Sequence, residues 1–164
     1  MGKNKQKTKN IDTKSSILRI GIIVAILFGA GYVVFISMTP VNSDFPVFGA
    51  PTNIYIKTIS TSDGSVFTSQ SIKGGKSGGS PNGIHYPTLT VQKGNLVSLH
   101  FINEDKETLN FNHQHDLNIY EFNVHSKVLD KFQAQTITFV ADKIGEFDYY
   151  CSIHPEMRGK LVVK

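Results

Sequence analysis

Residues 147–163 read Phe147-Asp148-Tyr149-Tyr150-Cys151-Ser152-Ile153-His154-Pro155-Glu156-Met157-Arg158-Gly159-Lys160-Leu161-Val162-Val163. Inside this stretch Cys151, His154 and Met157 stand at C-x2-H-x2-M, so one tight loop presents a thiolate, an imidazole and a thioether to a single ion. That donor set suits copper. A trigonal site of one Cys and two His with a weak axial Met lets an ion exchange one electron with little change of geometry. Zinc is the rival metal, but structural zinc takes four Cys or His ligands and has little use for a thioether. A lone cysteine is most often a buried small hydrophobe, a reading that leaves the His and Met at fixed offsets without a reason. Upstream, Phe147, Tyr149 and Cys151 share one face at strand period, which turns Cys151 inward. Downstream, residues 160–163 form a closing strand.

The stretch resembles the C-terminal ligand loop and last strand of the cupredoxins, the type 1 blue copper family, in the short C-x2-H-x2-M-R-G form of the amicyanin type. Residues 87–95, PTLTVQKGN, are similar to an early strand-turn-strand of the same family. The resemblance covers residues 53–164. It implies an all-β cupredoxin Greek-key β-sandwich that holds one copper ion, cycling between Cu(I) and Cu(II), and a first ligand that is a His followed by a polar residue well before the Cys. The candidates are His85, His100, His113, His115 and His125. His115 shares its face with Leu117 and Ile119 and so points to the core when they do, while His100 opposes the Val97-Leu99-Phe101 face and points outward. His115 lies 36 residues before Cys151. The expected ligands are therefore His115, Cys151, His154 and Met157. His113 has the same parity as His115 and stays open as the alternative first ligand; His125 is a weaker third. Where many members carry Asn or Ser after the first His, this chain has Asp116. The resemblance implies that this residue ties the ligand segments together; Ser152, directly after Cys151, is the candidate donor to its carboxylate, and such a tie would add a negative charge that favours Cu(II). It also implies that the ring edge of His154 is the solvent-side port for electrons.

The remainder of the 164 residues divides by composition. Residues 1–19 hold Lys3, Lys5, Lys7, Lys9, Lys14 and Arg19 against Asp12 alone, whereas residues 20–164 hold 11 Lys/Arg against 12 Asp/Glu. The formal charge of +4 is thus a property of the tail, and the near-neutral remainder removes the charge argument for nucleic-acid binding. Residues 20–38 form 19 uncharged, mostly apolar positions, about enough to span a hydrocarbon core as a single transmembrane helix. The basic flank on its N-terminal side puts residues 1–19 in the cytoplasm and the rest outside. A cleaved signal peptide is the competing reading, but its apolar core runs only about 7–15 residues and ends in a small-residue site, which this run lacks. Residues 39–53, with three prolines, read as an extended spacer, and residues 54–164 as the cupredoxin domain.

Within that domain residues 53–59 read as a first strand, and residues 60–85, rich in Gly and Ser, as a solvated, mobile loop. A phosphate-binding loop is excluded because G-x4-G-K-S needs Gly where Gln70 stands. Leu89 and Val91, then Val97, Leu99 and Phe101, alternate with polar residues about Lys93-Gly94-Asn95, as two antiparallel strands joined by a turn do. Residues 135–140 are a further strand, and several short strands with no amphipathic helix argue for a β-sandwich. A single Cys excludes a binuclear copper centre with two bridging thiolates. Tyr150 and Ser152 occupy the places where a multicopper enzyme would need a His beside the Cys, and no intrachain disulfide is possible. The sequence thus reads as no enzyme but a membrane-anchored mononuclear copper protein on the outer face of the cytoplasmic membrane, passing single electrons between redox partner proteins. Two alternatives stay open, a copper-binding or delivery protein and a redox-silent assembly domain of a membrane complex.

Overall fold

The computed structural model describes residues 13–61, 64–70, 87–106 and 113–164. They fall into two compact units, one within residues 1–38 and one spanning residues 39–164. The first contains helix α1 (Thr13–Ser37). Within it, Ser16–Ser37 is long and apolar enough to cross a membrane, reaching about 33 Å at the rise of an α-helix. The large side chains of Ile20, Leu27, Phe28 and Val33 are all exposed. The helix ends just before Pro40, whose ring disfavours helical backbone at the residue before it.

The second unit is built from nine strands among the described residues: β1 (Thr52–Thr61), β2 (Gly64–Gln70), β3 (Thr88–Val91), β4 (Leu96–Asn103), β5 (Asn118–Ile119), β6 (Val124–His125), β7 (Ala134–Val140), β8 (Gly145–Tyr150) and β9 (Arg158–Val163). They form two sheets, one ordered β2-β1-β4-β7 and the other β3-β9-β8-β5-β6. The pairs β1 with β4 and β3 with β9 are parallel. Period-2 patterning sets which side chains meet between the sheets. Val97, Leu99 and Phe101 of β4, Leu89 and Val91 of β3, and Leu161 and Val163 of β9 are buried, as their alternation foretells. Phe67 of β2 meets Tyr149 of β8 across the core with ring centroids 5.6 Å apart. Cys151 continues the inward face of β8 and is fully buried.

Three expectations change. The Gly/Ser-rich stretch is not loop throughout: residues 64–70 pair along β1 from Thr61↔Gly64 to Tyr55↔Gln70, with Phe67 fully buried. Residues 71–86, and His85 among them, lie outside the described residues. The segments on either side of Lys93-Gly94-Asn95 do not form a hairpin, because β3 and β4 lie in different sheets. The turn instead links other parts of the chain: Lys93 N–H donates to Lys164 O at 3.0 Å and Gly94 N–H to Ala141 O at 2.8 Å, with Gly94 at φ +82°. The stretch read as spacer contributes to the domain as well. Val41 N–H donates to Thr138 O at 2.8 Å, while the Asn42 side-chain amide both donates to and accepts from the backbone of Val140. The C-terminal end of the β7 edge is thereby covered.

The end of the loop between β8 and β9 has its own packing logic. Tyr149 and Gly159 face each other across β8 and β9, and the Tyr149 ring lies where a side chain on residue 159 would stand, since an added Cβ would overlap it. The buried phenol donates to Pro87 O at 2.7 Å, which joins β8 to the approach of β3. Gly159→Ala should therefore destabilise the domain by about 1–3 kcal/mol through overpacking, measured as a lowered urea midpoint with unchanged slope.

Candidate metal centre

The site forms where β8 leaves its sheet, between the entries to β5 and β9. Register fixes this: Tyr150 pairs with Arg158 on one side and with Asn118 on the other. Cys151 follows Tyr150 directly, and His115 sits three residues ahead of Asn118. His115 is held by a backbone bridge to Leu129, with its N–H donating to Leu129 O at 3.2 Å and Leu129 N–H donating back at 2.8 Å. The loop after Cys151 closes on itself, because Cys151 N–H donates to Met157 O at 3.1 Å and Met157 N–H to His154 O at 2.9 Å.

These constraints bring His115, Cys151 and His154 together. His115 Nδ1 lies 4.0 Å and His154 Nδ1 3.9 Å from Cys151 Sγ. One donor atom from each residue lies within 4.8 Å of the others. The two imidazole rings are 4.7 Å apart at centroids and tilted by 44°. Two edges of this triangle are near 4 Å and the third is at most 4.8 Å, so a point equidistant from the three donors lies about 2.3–2.5 Å from each, close to the length of a metal–sulfur bond. Met157 is buried in the same cluster as Cys151. His113, the alternative first ligand, is not in the triad; its Nδ1 is 3.4 Å from Asp105 Oδ2. His100 points away from the core, stacked on Tyr55 at 4.5 Å with its ring nitrogens bonded to Asn53 and Thr136. His125 is exposed and bonds Asn118.

Two buried carboxylates flank the triad. Asp116 accepts the N–H and the hydroxyl of Ser152, both at 2.6 Å, and the side-chain amide of Asn118 at 2.9 Å. The tie anticipated between the ligand segments is therefore present. Burial opposes ionisation of Asp116, but the bonds from Ser152 and Asn118 outweigh it and hold its carboxyl below the usual range. Asp105 was not foreseen. It sits in Asn103-Glu104-Asp105-Lys106, which reads as solvated charge, and no spacing marks it out. Its Oδ2 is 2.8 Å from His115 Nε2. Burial again works against the charge, and hydrogen bonds from Ser65 and His115 prevail, so this carboxyl is also held low. Asn103, fully buried, supports the arrangement: its amide donates to His113 O and Leu129 O and its oxygen accepts from Thr58 and from the Asp105 N–H.

The donor set fits copper. Burial pushes the Cys151 thiol up and the His115 imidazole down, which favours a neutral thiol and a neutral imidazole in the bare protein. An ion bound between them would compensate the thiolate charge and take up the imidazole lone pairs. A family model described as a cupredoxin-like domain matches residues 80–163. The chain belongs to the cupredoxin-like family. Among solved structures it is similar to an amicyanin variant in its reduced Cu(I) form, at 22% identity over 72% of this chain and 86% of that one, with a TM-score of 0.38. It is similar also to auracyanin from Roseiflexus castenholzii, at 16% over 71% and 99% with a TM-score of 0.47. A third is the copper nitrite reductase from Nitrosomonas europaea, at 18% over 70% and 42% with a TM-score of 0.49. No curated protein matches.

The carboxylates set an acid limit on this cupredoxin. Asp105 and Asp116 are held below their ordinary value of 3.8, so the unfolded chain binds the extra protons. Their contribution to stability is complete above that value and is lost as pH falls below it through the folded-state pKa. Acid titration of the metal-free protein should show stability falling below about pH 4, with a shallower fall in Asp116→Asn.

Proposed function

We propose that the protein is a membrane-anchored, mononuclear type 1 copper protein that carries single electrons on the extracytoplasmic face of the cytoplasmic membrane. His115, Cys151, His154 and Met157 are its ligands. The observation that carries this reading is the convergence of the two Nδ1 atoms on Cys151 Sγ at 4.0 and 3.9 Å. Copper, when bound, supplies a Cu(II)/Cu(I) couple at a potential tuned by its ligands and their surroundings.

The chain's part is to hold the donors in one geometry for both oxidation states. Three restraints do so: the Leu129 bridge on His115, the closed loop from Cys151 to Met157, and the Ser152 bonds to Asp116 that join them. Preorganised donors need little rearrangement when charge changes, which is what a carrier requires. His115 and Cys151 are wholly buried and His154 is the half-exposed member, so its ring is the edge offered to a partner. Weak, small interfaces suit redox partners that dock and leave. Helix α1 supports the tether, and the basic residues before it support the outward orientation of the domain. Confinement to the membrane would raise the effective concentration of membrane-bound donors and acceptors. A carrier rather than an enzyme is favoured because Tyr150 and Ser152, not histidines, flank the Cys.

The copper-loaded protein should show an intense blue thiolate-to-copper absorption band that is lost in Cys151→Ser. A colourless protein that still retains copper would favour delivery or storage, and failure to bind copper would leave only the fold. By voltammetry Asp116→Asn should raise the reduction potential, because a buried negative charge next to the site favours Cu(II) over Cu(I).

A further inference from the structure

Asp105 is fully buried, and both of its oxygens are engaged. Oδ1 accepts from the Ser60 hydroxyl. Oδ2 accepts from the Ser65 hydroxyl and faces His115 Nε2 at 2.8 Å and His113 Nδ1 at 3.4 Å. Ser60 further bridges to Lys106, accepting its N–H at 2.9 Å, which locks the backbone beside the carboxylate. A buried carboxylate is costly unless it is paired and hydrogen-bonded. Four side chains from three separate segments converge to make this one tolerable, and space-filling would be served as well by an apolar residue.

What the carboxylate does to His115 supplies a reason. An imidazole has two nitrogens, and the partner of one decides the role of the other. An ionised carboxylate only accepts, so at 2.8 Å the hydrogen belongs on Nε2. That leaves the lone pair on Nδ1, the atom turned toward Cys151 Sγ. Resting on the copper reading, we propose that Asp105 is a positioning residue that fixes the His115 tautomer and strengthens its Nδ1 as a donor, lowering the reduction potential, with Ser65 as the counterweight. The counterweight follows from geometry: the Ser65 hydroxyl donates to the same Oδ2 that draws on the His115 hydrogen, and so shares its electron density.

The two residues act in opposite directions on one atom, which separates this role from a merely structural one. In the metal-free full-length protein in detergent, long-range proton–nitrogen correlation spectra should show His115 with its hydrogen on Nε2, and Asp105→Ala should lose that exclusive tautomer. In the copper-loaded protein, voltammetry should find a raised potential for Asp105→Asn and a lowered one for Ser65→Ala. A hydrogen on Nδ1 in the wild type overturns the proposal, as do potentials that move in the same direction or stay unchanged. If Asp105→Asn does not fold, Ser65→Ala and the wild-type tautomer decide the matter. Failure of the copper reading shows separately, as a missing thiolate band in the wild type, and the tautomer spectra then decide the role of Asp105 alone.

Discussion

Ser152 gives both its N–H and its hydroxyl to the carboxylate of Asp116, and these two bonds join segments 36 residues apart. Everything about the centre depends on that join. One segment carries His115 and the other carries Cys151, His154 and Met157, and neither alone makes more than part of a site. The sheet brings them near, since β5 and β8 are neighbours, but only a single residue pair, Asn118 with Tyr150, connects those strands. A short ladder leaves play in the last turn of chain. The carboxylate removes it, acting through two directional, charge-assisted bonds where backbone pairing has ended.

The same economy recurs on the far side of His115. Asn103 and Asp105 sit at and just past the end of β4, and their side chains replace the ladder that stops there. Asn103 satisfies two carbonyls, a hydroxyl and an N–H at once. Asp105 gathers two hydroxyls and two imidazoles. Such buried polar networks hold a unique arrangement when every member is satisfied. Here the network lies beneath the donor triad, so the imidazole of His115 is fixed at its backbone by Leu129, at Nε2 by Asp105 and by the packing of His154 against its ring.

The loop of candidate donors was legible in the sequence because its chemistry is local: Cys151, His154 and Met157 fall within seven positions, and the strand parity of Phe147 and Tyr149 orients the Cys. The burial of His115 followed from parity with Leu117 and Ile119, but parity could not separate it from His113. Their difference is made by the backbone bridge of His115 to Leu129, a contact between separate segments. Strand β2 was missed because Gly64-Ser65-Val66-Phe67-Thr68-Ser69-Gln70 offers one buried anchor, Phe67, and its strand-favouring core Val66-Phe67-Thr68 is short and set in a longer Gly/Ser-rich stretch. Its place in the sheet comes from pairing with β1. The turn at Lys93-Gly94-Asn95 has the same residues whether it closes a hairpin or crosses between sheets, so only the partners of β3 and β4 decide. Asp105 was unreadable for a deeper reason. Its burial is made possible by Ser60, Ser65, His113 and His115 together, and no local pattern encodes a convergence of that kind.

The bonds of Val41 and Asn42 to β7 bear on what happens if the chain is cut. An edge strand with open N–H and C=O groups is a template for pairing with another copy. Here the residues leading into the domain occupy that edge. A protease acting just after helix α1 would release a domain that carries its own edge cover, whereas one acting after Asn42 would strip it. The position of a nick, by only a few residues, thus separates a domain with a protected edge from one primed to self-associate through β7.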